Sequence, residues 1–153
     1  MKELINENLI VLDYEPSNQR DILNELSELM LIEGRLNNKD DFIDAVIARE
    51  NEFPTCFDFG VAIPHGKTDA CKVPSLAFMR LKNPMDWSEN CKNQAKIVFL
   101  IGVPESEAGN THLKILAKLS RLLMDDGFRK SMIESSNKYD VMKVLEEKLL
   151  SEV

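Results

Sequence analysis

Apolar positions recur at two different periods along the chain, and the switches between them mark its elements. Leu9 to Tyr14 is a short apolar run that reads as an edge strand. After Pro16-Ser17, residues Ile22, Leu23, Leu26, Leu29 and Met30 share a helical face, and Gly34 closes the helix. A second helix follows Asn38, with Phe42, Ile43, Val46 and Ile47 as its buried stripe. It should fray near Asn51, because Pro54 pushes Phe53 out of helical geometry. The period then drops to two. Phe57, Phe59, Val61 and Ile63 alternate with Asp58, Gly60 and Ala62, which predicts a strand ending at Pro64-His65-Gly66. Ser75 to Leu81 predicts another strand, and the β-branched run Ala95 to Val103 predicts a central one covered on both sides.

Beyond a polar loop at Pro104 to Gly109, the helical period returns. From Thr111 to Met124, Leu113, Leu116, Ala117, Ser120 and Leu123 share a broad face. Gly127 breaks that helix, a short helix runs to about Ile133, and Asn137 caps a last one that turns Val141, Val144, Leu145 and Leu149 inward. The order α-α-β-β-β-α-α predicts an α/β fold, a mixed central sheet flanked by helices on both faces. No repeat or linker-like tract divides the sequence, so residues 1–153 read as a single domain.

Composition narrows the function classes. With 44% apolar and 29% charged residues, the chain is ordinary globular material rather than disordered. The longest apolar run, Ile97 to Val103, contains a glycine and is far too short to span a membrane, and the N-terminus has early acids where a signal peptide would have an apolar core. A cytoplasmic location is the expectation. Cys56, Cys71 and Cys91 form no CxxC pair, so three reduced thiols are expected, with neither a disulfide framework nor a zinc site. A net charge of −7 without a basic block argues against nucleic acid as a partner. It suits a protein with a basic docking face, although acidity also serves plain solubility.

Candidate chemistry gathers at three residues. His65 follows a predicted strand in Gly60-Val-Ala-Ile-Pro-His-Gly66. Pro64 stiffens the backbone that aims the imidazole, and Gly66 removes bulk beside it so that another molecule's backbone can approach. A solvated turn histidine is the plain alternative, and spacing alone does not separate the two. His112 stands at the start of a helix that Asn110 or Thr111 can cap; there the helix dipole favours a neutral imidazole and a nearby anion. A capping-region histidine without a role fits that position equally. Arg49 lies seven positions beyond Phe42 and three beyond Val46, near the end of the buried stripe. A guanidinium there needs a partner, for which Glu50 and Glu52 are near, or a pocket that receives a phosphoryl group. No metal-binding spacing, glycine-rich phosphate loop or nucleophile elbow is present, so neither metal nor cofactor is expected.

Taken together these phrases resemble the type-2 enzyme IIA family of bacterial sugar phosphotransferase systems, the mannitol–fructose type. The resemblance rests on Ala48-Arg-Glu-Asn-Glu-Phe-Pro-Thr55, on Gly60-Val-Ala-Ile-Pro-His65, on His112-Leu-Lys-Ile-Leu-Ala-Lys-Leu119, and on the segments Ala95–Pro104 and Met85-Asp-Trp87. Cys56 and Phe57 stand where many members carry glycines after the threonine. The resemblance implies that His65 takes a phosphoryl group from the phosphocarrier protein HPr, as a tele-phosphohistidine, and passes it to a cysteine of an enzyme IIB. His112 and Arg49 would stabilise that group, with Thr55 and Gly66 supporting the pocket. The sugar would enter through a separate membrane component, IIC, and the wording around Thr55 is closest to galactitol-type members. A regulatory domain that senses phosphotransferase flux, and an inert structural relative, are the alternatives.

Overall fold

The computed structural model describes residues 3–107 and 110–152; the side chains of Glu107, Thr111, His112 and Glu152 lie outside that description. Its strands are β1 (Ile10–Tyr14), β2 (Cys56–Phe57), β3 (Val61–Ala62), β4 (His65–Lys67), β5 (Ser75–Met85) and β6 (Ala95–Val103). Its helices are α1 (Gln19–Ile32), α2 (Lys39–Glu52), α3 (Thr111–Leu123), α4 (Asp126–Glu134) and α5 (Lys138–Lys148).

Asparagines start three of these helices for one physical reason. The side chains of Asn18, Asn38 and Asn137 accept the backbone N–H groups of Asp21, Asp41 and Asp140, which no residue of the helix could bond. The first helix therefore begins after Asn18 rather than at Pro16-Ser17. Gly34, at φ 73°, ends it, and the Arg35 N–H turns back to the Met30 carbonyl. α4 starts from an Asp125 cap on the Gly127 N–H, so Gly127 lies inside the first turn of α4, and α3 has already ended at Leu123 with Met124 as its cap.

The sheet runs β1-β5-β6-β3-β2, with β4 also on β6. β5 is antiparallel to β6, whereas β1 is parallel to β5, and β3 and β4 are both parallel to β6. β1 is an edge strand and β6 lies in the middle, buried along its length except at a half-buried Lys96, as the apolar pattern required. α1 and α2 pack against β5 and β4, while α3 and α4 pack against β6 and α5 against β1, so the mixed sheet is covered on both faces.

Three further expectations change. Phe57 to Ile63 is a hairpin, not one strand: β2 and β3 pair antiparallel, with Phe59 and Gly60 at φ 72° and 79° in the turn. Two successive positive φ values reverse the chain, and Phe59 is left half exposed beneath the Arg129 guanidinium. The buried face of α3 is Ile115, Leu119 and Leu123, four residues apart; Leu113 and Ala117 face outward. Leucines populate two sides of this helix, and the sheet selects one. Finally, Cys56 and Cys91 are joined in a disulfide with Cα atoms 5.9 Å apart, and Cys71 alone is a buried thiol. Cys56 lies in β2 and Cys91 in the connection from β5 to β6, and their separation in sequence carries no signal that the fold brings them together.

Candidate functional site

β3 and β4 behave as one strand interrupted at Ile63-Pro64. Val61 pairs with Ile97 and His65 with Ile101, four residues on along each strand, so the register survives the break. Pro64 has no N–H to give to a ladder, but its carbonyl still accepts the Ile101 N–H at 3.0 Å. Ile63 is diverted: its N–H donates to the Thr55 carbonyl at 2.9 Å, and its own carbonyl accepts from His65 Nδ1 at 3.0 Å. A carbonyl oxygen can only accept, so Nδ1 carries the proton and the lone pair of the neutral ring sits on Nε2.

His65 is half-buried at the start of β4, near the carboxyl end of β6. Burial pushes its pKa below the usual imidazole range; the Ile63 carbonyl opposes this, the Arg49 charge adds to it, and Glu50 opposes it. The result is a histidine held neutral near pH 7, which a nucleophile requires.

Arg49 and Glu50 occupy the last turns of α2 with exchanged burial. Arg49 is half-buried, and its Nη1 donates to the Phe53 carbonyl at 2.8 Å across the helix end. Glu50 is the residue that turns inward, only 7% exposed. Its carboxylate accepts the Thr55 N–H at 2.7 Å, the Thr55 hydroxyl, and the Trp87 indole N–H at 3.1 Å. Glu50 is therefore not a simple counter-ion for Arg49. The Thr55 hydroxyl is likewise committed inward, to Glu50.

Gly66 has a different reason from the one its position in the sequence suggested. A Cβ there would meet Val46 Cγ2 at 2.9 Å and Phe42 Cε1 at 3.4 Å. The space is filled by α2, not kept open for another molecule. Gly102, paired with Gly66 across the ladder, would meet the same Phe42 ring at 2.8 Å. Two glycines thus let α2 approach the sheet closely, and that approach sets Arg49 and Glu50 beside the histidine strand.

His112 is the second residue of α3, and its side chain lies outside the described residues. Asn110 occupies the capping position in helical geometry and makes no side-chain cap bond, unlike the other asparagine caps. Among the described residues, no group of three or more His, Cys, Asp or Glu is placed to hold a metal, and no helix is long and apolar enough to cross a membrane. The sequence singled out His65 and Arg49, offered Glu50 only as a partner for Arg49 and Trp87 only as part of a family segment, and gave no sign of the bond between those two. An acid four residues beyond Val46, on the apolar stripe, was the available signal for Glu50.

Residues 3–148 match the sequence family described as "Phosphoenolpyruvate-dependent sugar phosphotransferase system, EIIA 2". The PTS system fructose-specific EIIA component of Haloferax volcanii is 37% identical over 139 residues, covering 91% of this chain and 90% of that protein. The fructose-specific EIIABC component of Bacillus subtilis is 32% identical over 94% of this chain, which spans only 22% of that longer relative. Among solved structures, Nitrogen Regulatory Protein IIA-Ntr from Neisseria meningitidis superposes with a TM-score of 0.82 at 28% identity, covering 93% of this chain and 96% of that one. Enzyme IIAMTL from Escherichia coli, solved in complex with phosphorylated enzyme IIBMTL, gives 0.79 at 17% identity, with 94% and 97% covered, and shares the fold.

Proposed function

The chain belongs to the phosphoenolpyruvate-dependent sugar phosphotransferase system EIIA 2 family, a phosphotransferase of fructose and mannitol type, and on that premise we propose that His65 is its phosphoryl carrier. The Nε2 lone pair attacks the phosphoryl group of phosphorylated HPr. The donor P–N bond breaks as a new one forms at His65, giving the tele-phosphohistidine. A cysteine thiolate of enzyme IIB then takes the group, forming a P–S bond and returning His65 to its neutral state. The observation that carries this reading is the bond from Nδ1 to the Ile63 carbonyl, which fixes the tautomer that puts the lone pair on Nε2.

Arg49 supplies a fixed positive charge beside the acceptor, and His112, at the N-terminus of α3, supplies a donor to a phosphoryl oxygen. Transfer between side chains needs positioning and charge stabilisation rather than bond-making machinery. Thr55 and Gly66 support the site from behind, the first through Glu50 and the second through α2. Exposed Phe53 and Leu113, next to the elements bearing Arg49 and His112, give a protein partner apolar area to cover. HPr and enzyme IIB are the proposed partners, with a membrane IIC downstream, and residues 1–153 act as one cytoplasmic domain. The fructose-specific relatives favour that sugar class over galactitol. The likeness to IIA-Ntr supports a second reading, in which the same phosphohistidine reports phosphotransferase flux by protein binding.

Incubation with phosphoenolpyruvate, enzyme I and HPr should add one acid-labile phosphate, and His65→Ala should abolish it. Unchanged labelling of His65→Ala overturns the assignment. Passage of the label to an enzyme IIB cysteine supports transport, and its retention with every enzyme IIB supports regulation.

A further inference from the structure

Glu50 is the buried ionisable group beside His65 whose bonds lead back to it. Two of its three bonding partners, the Thr55 N–H and the Trp87 indole, can only donate, so they converge on an acceptor that α2 must hold in place. From Thr55 the contacts continue without a gap. The Thr55 carbonyl accepts the Ile63 N–H at 2.9 Å, and the Ile63 carbonyl accepts from His65 Nδ1 at 3.0 Å. Pro64, the residue between Ile63 and His65, has a fixed φ, so a shift of the Ile63 peptide is passed to the imidazole with little slack.

The frame around Glu50 is also tied covalently. Cys56 directly follows Thr55, Cys91 lies four residues after Trp87, and the two are bridged. Both donors to Glu50 therefore sit on one cross-linked unit, with the carboxylate at its centre.

We propose that Glu50 is a positioning residue for phosphoryl transfer, acting through Thr55 and Ile63 to hold His65 as the Nδ1-protonated tautomer with Nε2 as nucleophile. It does not touch the phosphoryl group. Its work is to keep the Ile63 carbonyl where only a protonated Nδ1 can satisfy it. The inference rests on His65 as the carrier for its importance, but the tautomer is a property of the unphosphorylated protein and is measured without any donor.

The test uses the full chain with 15N-labelled histidine. In the wild type the His65 ring nitrogens should show shifts of the Nδ1–H tautomer at pH 8. Glu50→Gln keeps the side-chain volume but offers one acceptor oxygen in place of two. It should retain a dispersed amide spectrum, move His65 toward the Nε2–H tautomer, and slow phosphate uptake from phosphorylated HPr about 10- to 100-fold in kcat, with KM little changed. Trp87→Phe and Thr55→Val each remove one bond to Glu50 and should shift the tautomer in the same direction by less. They serve as the test if Glu50→Gln does not fold. Wild-type tautomer populations in the folded variants overturn the proposal, even if His65 is phosphorylated normally. A tautomer shift in a protein that never accepts phosphate leaves the positioning role intact and removes the carrier reading instead.

Discussion

At His65 burial and the Arg49 charge favour the neutral ring, whereas the Ile63 carbonyl and Glu50 favour the charged one, and the first pair prevails. A pKa lowered on folding means that the native state binds fewer protons than the unfolded chain. Stability at this residue is therefore present above the unfolded value of about 6.5 and is lost as pH falls from there through the folded one. The nucleophilicity proposed for His65 follows the same window. An NMR titration of the His65 ring should give a midpoint below about 6.5, and phosphate uptake should stay flat down to that midpoint before falling. A midpoint above the free-histidine value would contradict the balance described. Of these residues the sequence made His65 visible as a histidine at a strand end after proline, and Arg49 as a costly charge on an apolar stripe. Whether Arg49 or Glu50 turns inward was not visible. Adjacent residues lie about 100° apart on a helix, both at the margin of the stripe, and donors from Thr55 and Trp87 decide the matter.

Among the elements, α2 carries the most consequence, because its last turns present Arg49 and Glu50. Its start depends on the Asn38 side chain bonded to the Asp41 N–H. Asn38→Ala should lower the free energy of unfolding by about 1 kcal/mol, within a range of 0.5–2, in urea denaturation. Phosphate uptake by the folded protein should be unchanged, since the cap lies at the opposite end of the helix from the site. Helices of this kind were readable from period and caps. The hairpin was not, because alternation along Phe57 to Ile63 is equally compatible with a strand and with two short strands across a tight turn. Only positive φ values at Phe59 and Gly60 distinguish them, and phenylalanine gives no warning of one. The outward face of α3 was misread for a related reason: leucine on a helix does not declare which side meets the sheet.

For the whole molecule, the Cys56–Cys91 bridge closes a loop between residues 35 apart that contains β3, β4 and β5. Loop-closure entropy gives such a link a stabilisation of about 3–4 kcal/mol. Reduction, or Cys56→Ser with Cys91→Ser, should lower the urea midpoint accordingly, and a midpoint insensitive to reductant would show that the link adds nothing. The layered α/β plan itself was legible, because alternating helix and strand periods leave few ways to bury both. The bridge was not, since it depends on how far-apart segments meet.

The Phe42 ring that lies against Gly66 and Gly102 has a consequence for how such a chain can diverge. A Cβ at Gly102 would be stopped first by that ring, and one at Gly66, its partner across the ladder, first by Val46 Cγ2 and then by the ring. A side chain gained at Gly102 has to be matched by volume lost at position 42, and one gained at Gly66 by volume lost at position 46. Positions 42, 46, 66 and 102, spread along the sequence, are then constrained by one patch of packing. The expected trace of that constraint is a correlation among relatives, in which the residue after the histidine is held small by the side chains of α2.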